Sequence, residues 1–248
     1  MCLQAQTALP VINANGVVEG ASFTQAVAAG GIASIFGSNL GPSAAAATTV
    51  PLPTVINGVT VTLNGAACPL FYVSPSQINF QVLWEVLPLN SATLVVSTAA
   101  GKSNSYTVVL SAAAPGVFTV ATLYQGAVLI SNTGIFAASA GSIPGANARP
   151  VMAGEYISIF CSGLGAVSNQ PADGAASPAG KTLATIKAQI QVGINLNFAV
   201  PSFAGLAPGF VGLYQVDIQV PPGVSGGTVP VTVSVNGVNA LSVEIAVQ

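Results

Sequence analysis

The sequence contains no histidine and very little charge. Only Lys102, Arg149, Lys181 and Lys187 are basic, and only Glu19, Glu85, Glu155, Asp173, Asp217 and Glu244 are acidic. Together they make up 4% of 248 residues, where ordinary soluble domains carry about 25%. Four scattered cations cannot neutralise a run of phosphates, so nucleic-acid binding is not expected. Without histidine there is no Ser-His-Asp or Cys-His arrangement, and acid–base work at neutral pH loses its commonest agent. No CxxC spacing exists either, which removes the usual zinc ligands, and no cofactor is expected. A formal net charge of −2 leaves little repulsion between copies and favours association.

Cysteine is scarce as well. Cys2, Cys68 and Cys161 are the three present, an odd number that leaves at least one thiol free or paired between chains. All three are candidates for disulfide formation, and Cys2 also for lipid attachment if a leader is cleaved beside it. The start, Met1-Cys2-Leu3-Gln4-Ala5-Gln6, lacks a basic stretch followed by an apolar run, so no signal peptide is visible; an exported chain would already have lost it. Apolar residues reach 52%, yet no window of about 18 residues is free of glycine, proline and polar interruption, and no spanning helix is expected. The alternating segments are too short and irregularly spaced for an outer-membrane barrel. Helical periodicity appears nowhere over ten residues.

What the sequence does contain is alternation, twice. In Gln77-Ile78-Asn79-Phe80-Gln81-Val82, residues Ile78, Phe80 and Val82 share one face, and Gln77, Asn79 and Gln81 the other. The pattern returns in Gln215-Val216-Asp217-Ile218-Gln219-Val220. This period of two marks a half-buried strand. The segment 29–41 matches 153–165 at a constant offset of 124, with eight of thirteen positions identical. The offset grows to 138 between the Gln-rich strands because the loops 166–180 and 202–212 are longer. An internal duplication follows: residues 1–114 and 115–248 each form an all-β unit of roughly seven short strands. The predicted fold is two tandem immunoglobulin-like β-sandwiches, with a closed barrel of similar strand number as the alternative for each unit. Asn15-Gly16 between apolar pairs reads as a hairpin turn. Asn64-Gly65 turns the strand 59–63 back into one strand over 67–73, and the alanine-rich 43–49 reads as a mobile loop.

Five segments together are specific: 17–23 (VVEGASF), 34–40 (SIFGSNL), 69–82 (PLFYVSPSQINFQV), 112–118 (AAAPGVF) and 203–215 (FAGLAPGFVGLYQ). From about Pro10 to the C-terminus the chain resembles the Solibacter-type C-terminal domain family of secreted acidobacterial proteins. More weakly, each unit is similar to TIG-type immunoglobulin-like domains. The resemblance implies an exported protein and carries over no catalytic residues.

The remaining chemistry is thin. Lys102-Ser103 sits at a hairpin tip, where the lysine stays solvated. Glu85, Glu155 and Asp217 are the only carboxylates to weigh as a glycosidase pair, and Asp173 stands alone in its loop as a calcium ligand. Tyr72, Trp84, Tyr106, Tyr124, Tyr156 and Tyr214 are expected to pack core and rim rather than to stack on sugars. The rows Gln77/Asn79/Gln81 and Gln215/Asp217/Gln219 can bond their own domain or another subunit. The expectation is a non-enzymatic extracellular or cell-surface structural protein whose partner is itself, in a filament or layer. Strand edges and residues 1–12 would supply β-augmentation. The alternative is an adhesin or a module binding surface glycans.

Overall fold

The computed structural model describes residues 8–195, 197–224 and 226–248; Cys2 and most of the proposed N-terminal pairing segment lie outside them. The regular elements among the described residues are all strands apart from one 3-10 turn at Trp84–Val86. In the first sheet, Val11–Glu19, Ile32–Ser38, Gln77–Gln81, Leu70–Val73 and Ala45–Ala46 lie side by side in that order, all antiparallel. The second sheet runs Ala26–Val27, Tyr106–Leu110, Ser91–Thr98, Thr60–Leu63 and Ala66–Ala67, and its first pair is parallel. This is the ABED against A′GFCC′ order of an immunoglobulin-like sandwich. Ile35, Ile78 and Phe80 from one sheet and Val61, Leu94 and Val96 from the other are fully buried in a common core.

Residues 116–247 repeat the plan. Val128–Ile130, Tyr156–Ser162, Tyr214–Gln219 and Phe203–Leu206 form the third sheet. Asn197–Ala199, Ile190–Ile194, Gly227–Val235 and Val243–Val247 form the fourth. Even the parallel contact recurs, as Val27 beside Leu110 and as Val151 beside Val247.

Three local expectations change. Asn15-Gly16 makes a bulge, not a hairpin. Ile12 pairs with Gly37 and Val17 with Ile35, so the strand continues against one partner while Asn15, at φ +56°, absorbs the extra residues. The alanine-rich loop is pinned as an edge strand, with Ala45 and Ala46 paired to Val73 and Tyr72. The predicted strand over 67–73 breaks at Pro69, and its two parts join different sheets. Asn64 and Gly65 do form the turn, at φ +48° and +88°, as a type I′ hairpin requires.

The growth of the offset is placed by the pairings. It is 124 from Ile35 to Ile159, 131 from Val61 to Val192, and 138 from Ile78 to Val216. Seven residues are added before Ile190–Ile194 and seven more between Phe203–Leu206 and Tyr214–Gln219. Both enlarged loops pack against the first sandwich, as described next. A third expansion is local: the four residues between Ile12 and Val17 become ten between Val117 and Val128.

Candidate functional site

The polar rows lie on the outer faces of the first and third sheets. Gln77 Nε2 donates to Asn79 Oδ1 (2.8 Å), which also accepts from Ser34 Oγ (3.1 Å). Gln215 Nε2 donates to both carboxylate oxygens of Asp217 (2.8 and 3.0 Å). The third member turns back on its own sandwich. Gln81 Nε2 donates to the carbonyl of Gly30 (3.4 Å), and Gln219 Nε2 to that of Gly154 (2.9 Å). Gly30 and Gly154 are equivalent positions just before the second strand of each sandwich. The repeated glutamine is therefore a brace for the chain's entry into that strand. Gln81 is fully buried and beyond the reach of a neighbouring subunit, which leaves Gln77, Asn79, Gln215, Asp217 and Gln219 at the surface.

Gln81 has a second task that Gln219 lacks. Its Oε1 accepts from Gly174 N–H (2.6 Å), in the first enlarged loop of the second half. Around it, Leu52 N donates to Gly174 O (2.8 Å) and Trp84 N to Asp173 Oδ1 (3.1 Å). Ser162 Oγ accepts from Ile32 N (2.9 Å). The second enlarged loop closes the same junction: a side chain at Gly212 would press on Gly30 O, Ile32 and Gln81. Glu19 is buried here too. Its Oε2 accepts from Ala21 N, Ser22 N and Ser22 Oγ (2.9, 2.6 and 2.8 Å), while Oε1 accepts from none. Burial outweighs these bonds and raises its affinity for a proton.

Asp173, read from sequence as solitary, stands beside Glu85. Burial and the neighbouring Glu85 carboxyl push it up to about 6, from an ordinary 3.8. The folded chain thus binds a proton more tightly than the unfolded one. The resulting stability is fully present below about pH 4 and is lost as pH rises through about 6. Asp173→Asn keeps an acceptor for Trp84 N–H and removes the charge. Asp173 is half-buried, so screening reduces the effect to on the order of 1 kcal/mol. Urea midpoints between pH 4 and 8 should flatten for the variant, with its gain at the alkaline end. A gain at pH 4 instead would contradict the assignment.

The other candidates are spent structurally. Glu155 forms a bidentate pair with Arg149 (2.7 and 2.9 Å) and accepts from Met152 N, which holds its carboxyl down at about 2. Ser103 Oγ, beside Lys102, donates to Asn104 O and accepts from Val96 N. Cys68 and Cys161, proposed for disulfides, are free thiols in the two cores; burial pushes Cys68 up to about 12 and Cys161 higher still. An interior position in separate sandwiches leaves neither a disulfide partner among the described residues. Tyr214 is buried and donates its hydroxyl to Gly165 O (2.5 Å). Tyr124 and Tyr156, expected in core or rim, are exposed by 64% and 48%.

No family model and no curated protein matches the chain. Solved structures do resemble it. One is the Bacteroides ovatus mixed-linkage glucan utilization locus protein SGBP-B, solved with a mixed-linkage heptasaccharide. The likeness is 13% identity over 98% of this chain at a TM-score of 0.36, and this chain spans 46% of that one. Domains 5–6 of the S-layer protein SbsC match at 13% identity over 96% and 98% of the two chains, TM-score 0.27. The Ig1-2 module of the Drosophila receptor protein tyrosine phosphatase DLAR matches at 12% over 97% and 100%, TM-score 0.21. Likenesses of this size assign no activity.

Two apolar depressions flank the expanded excursion 118–127. One, a half-enclosed cleft of about 370 Å³ at the junction, is lined by Phe23, Val117, Leu123, Tyr124, Leu241 and Val243 among others. The other, about 270 Å³, lies on the outer face of the third sheet between Phe118, Leu129, Phe136 and Phe160. Sequence patterns missed both: the first joins residues 21–23 to 241–243, from opposite ends of the chain, and the second gathers single residues from several separate strands and loops.

Proposed function

We propose that the chain is a non-enzymatic structural protein of the cell exterior that assembles with copies of itself into a filament or layer. One observation carries this reading. Among the described residues sixteen large apolar side chains are exposed, against ten charged groups in the whole chain. Exposed apolar side chains with so little charge among them make a surface that gains by being covered. The clasped junction supports the same reading, because a subunit transmits order along a polymer only if its halves hold a fixed relation. The carboxylates that an enzyme would use are held in an ion pair, in an amide bridge and in the junction. The exterior location follows the secreted family that the sequence resembles.

A second reading, carbohydrate binding, draws on the register of the third sheet. Phe160 pairs with Gln215, Ser158 with Asp217 and Tyr156 with Gln219, setting aromatic rings beside amides and a carboxylate as a sugar platform would. Electron microscopy of the purified chain over rising concentration separates the two. Ordered filaments or sheets are expected; dispersed monomers at high concentration, with retention on a glycan array, would replace the first reading by the second.

A further inference from the structure

We propose that the hairpin edge Asn197–Ala199, through Phe198 and Val200, seats in the junction cleft of the next copy, an inference that rests on the self-assembly reading above. Phe198 and Val200 are exposed by 82% and 90%. Two residues apart on an extended segment, they project to the same side. Among the described residues Asn197–Ala199 pairs only with Ile190–Ile194, so its outer backbone groups face outward along an open edge. No charged residue lies in the segment 197–200 or in the lining of the cleft.

The cleft is built to receive such a knob. Leu123, Tyr124 and Leu241 stand at its rim, exposed by 79%, 64% and 61%. Phe23 joins them in a left-handed conformation, φ +57°, which costs a bulky residue about 1–2 kcal/mol. Strain of this kind persists where the surrounding structure imposes it and gathers at binding sites. With Phe23, the six side chains on the two surfaces present on the order of 750 Å² of area. A specific contact needs roughly 1,000 Å² in all, so these side chains would supply its apolar centre.

A chain cannot fill its own cleft. The fourth sheet runs Asn197–Ala199, Ile190–Ile194, Gly227–Val235, then Val243–Val247. The knob is on the first of these strands, and Val243 of the cleft is on the last. Knob and cleft thus occupy opposite edges of one sheet. A contact between different patches does not close on itself as a two-fold dimer does; it repeats from copy to copy, into an open polymer where successive rotations do not close a ring.

Cysteine cross-linking tests the contact in the full chain with Cys2→Ser. A variant carrying both Val200→Cys and Leu123→Cys should give a ladder of dimers, trimers and longer species on mild oxidation. A mixture of the two single variants should stop at dimers. In parallel, Phe198→Ser with Val200→Ser should raise the concentration needed for assembly at least ten-fold, while Val109→Ser, an exposed apolar residue elsewhere, leaves it within two-fold. Wild-type polymers that persist unchanged in the knob variant, with no ladder, overturn this contact and leave the assembly reading standing. A double-cysteine variant that stops at dimers overturns the open-polymer geometry. A wild-type chain that never assembles overturns both.

Discussion

Gly30→Ala is expected to destabilise the first sandwich by about 3 kcal/mol or more. Gly30 has φ +74°, a conformation that costs an L-residue about 1–2 kcal/mol. A methyl group there would also occupy the space of the Trp84 ring, which lies flat against the Gly30 Cα. The Trp84 side chain is buried, 4% exposed, so the packed core leaves the ring little room to swing away. Gly154 supplies the control. It is the equivalent glycine of the second half, at φ +86°, with nothing within 4 Å of the position a Cβ would take. Gly154→Ala should therefore cost only the conformational part, about 1 kcal/mol. Trp84 is the single tryptophan of the chain, so its fluorescence follows the junction through a urea titration. Pairing Gly30→Ala with Trp84→Leu, followed by far-ultraviolet circular dichroism because that pair has no tryptophan, should recover part of the loss relative to Trp84→Leu alone, as expected when two residues compete for one space. Equal losses at Gly30 and Gly154, or no recovery in the pair, would show that the ring contact is not what the glycine is for.

The duplicated strand was legible because its physics is local. Ile78, Phe80 and Val82 alternate with amides, and a period of two leaves no other element that buries one face. The same holds for Val216, Ile218 and Val220. The repeat of Ala-Gly before Ile32–Ser38 and Tyr156–Ser162 was readable for a related reason: both glycines adopt positive φ at the entry to a strand. The partners of those residues were not legible. Asp173 reads as a lone acid in a loop because Glu85 lies 88 positions away and only the junction brings them together. Glu19 sits in an apolar run and gives no sign that its carboxylate turns inward onto Ser22. Asn15-Gly16 has the chemistry of a hairpin, but the hydrophobic residues on either side both belong against Ile32–Ser38, and the tertiary pairing wins. One signal for the junction was present in the sequence: the offset that grows from 124 to 138. A repeat that lengthens two loops, at the same end of the sandwich, is building a contact there. The lengthened loops carry Asp173, Gly174 and Gly212, and all three face the first half.

The strongest test of that account compares the two repeated glutamines. Both brace the glycine carbonyl before a strand, but only Gln81 also accepts from the other half. Gln81→Ala leaves two buried groups without partners, the carbonyl of Gly30 and the N–H of Gly174, and opens a void where the side chain was. Each orphaned group costs about 1–3 kcal/mol, so with the void a loss of about 3 kcal/mol is expected. Gln219 is exposed and makes one bond, and the carbonyl it releases can turn to water. Gln219→Ala should cost about 0.5 kcal/mol. If the junction couples the halves as the 2.6 Å bond to Gly174 implies, Gln81→Ala should also shift Trp84 emission to the red before global unfolding, and Gln219→Ala should not. Similar losses for the two variants would mean that the brace within each sandwich matters and the bond between them does not. The orientation of the halves would then rest on the other junction contacts, Leu52 with Gly174, Trp84 with Asp173 and Ile32 with Ser162.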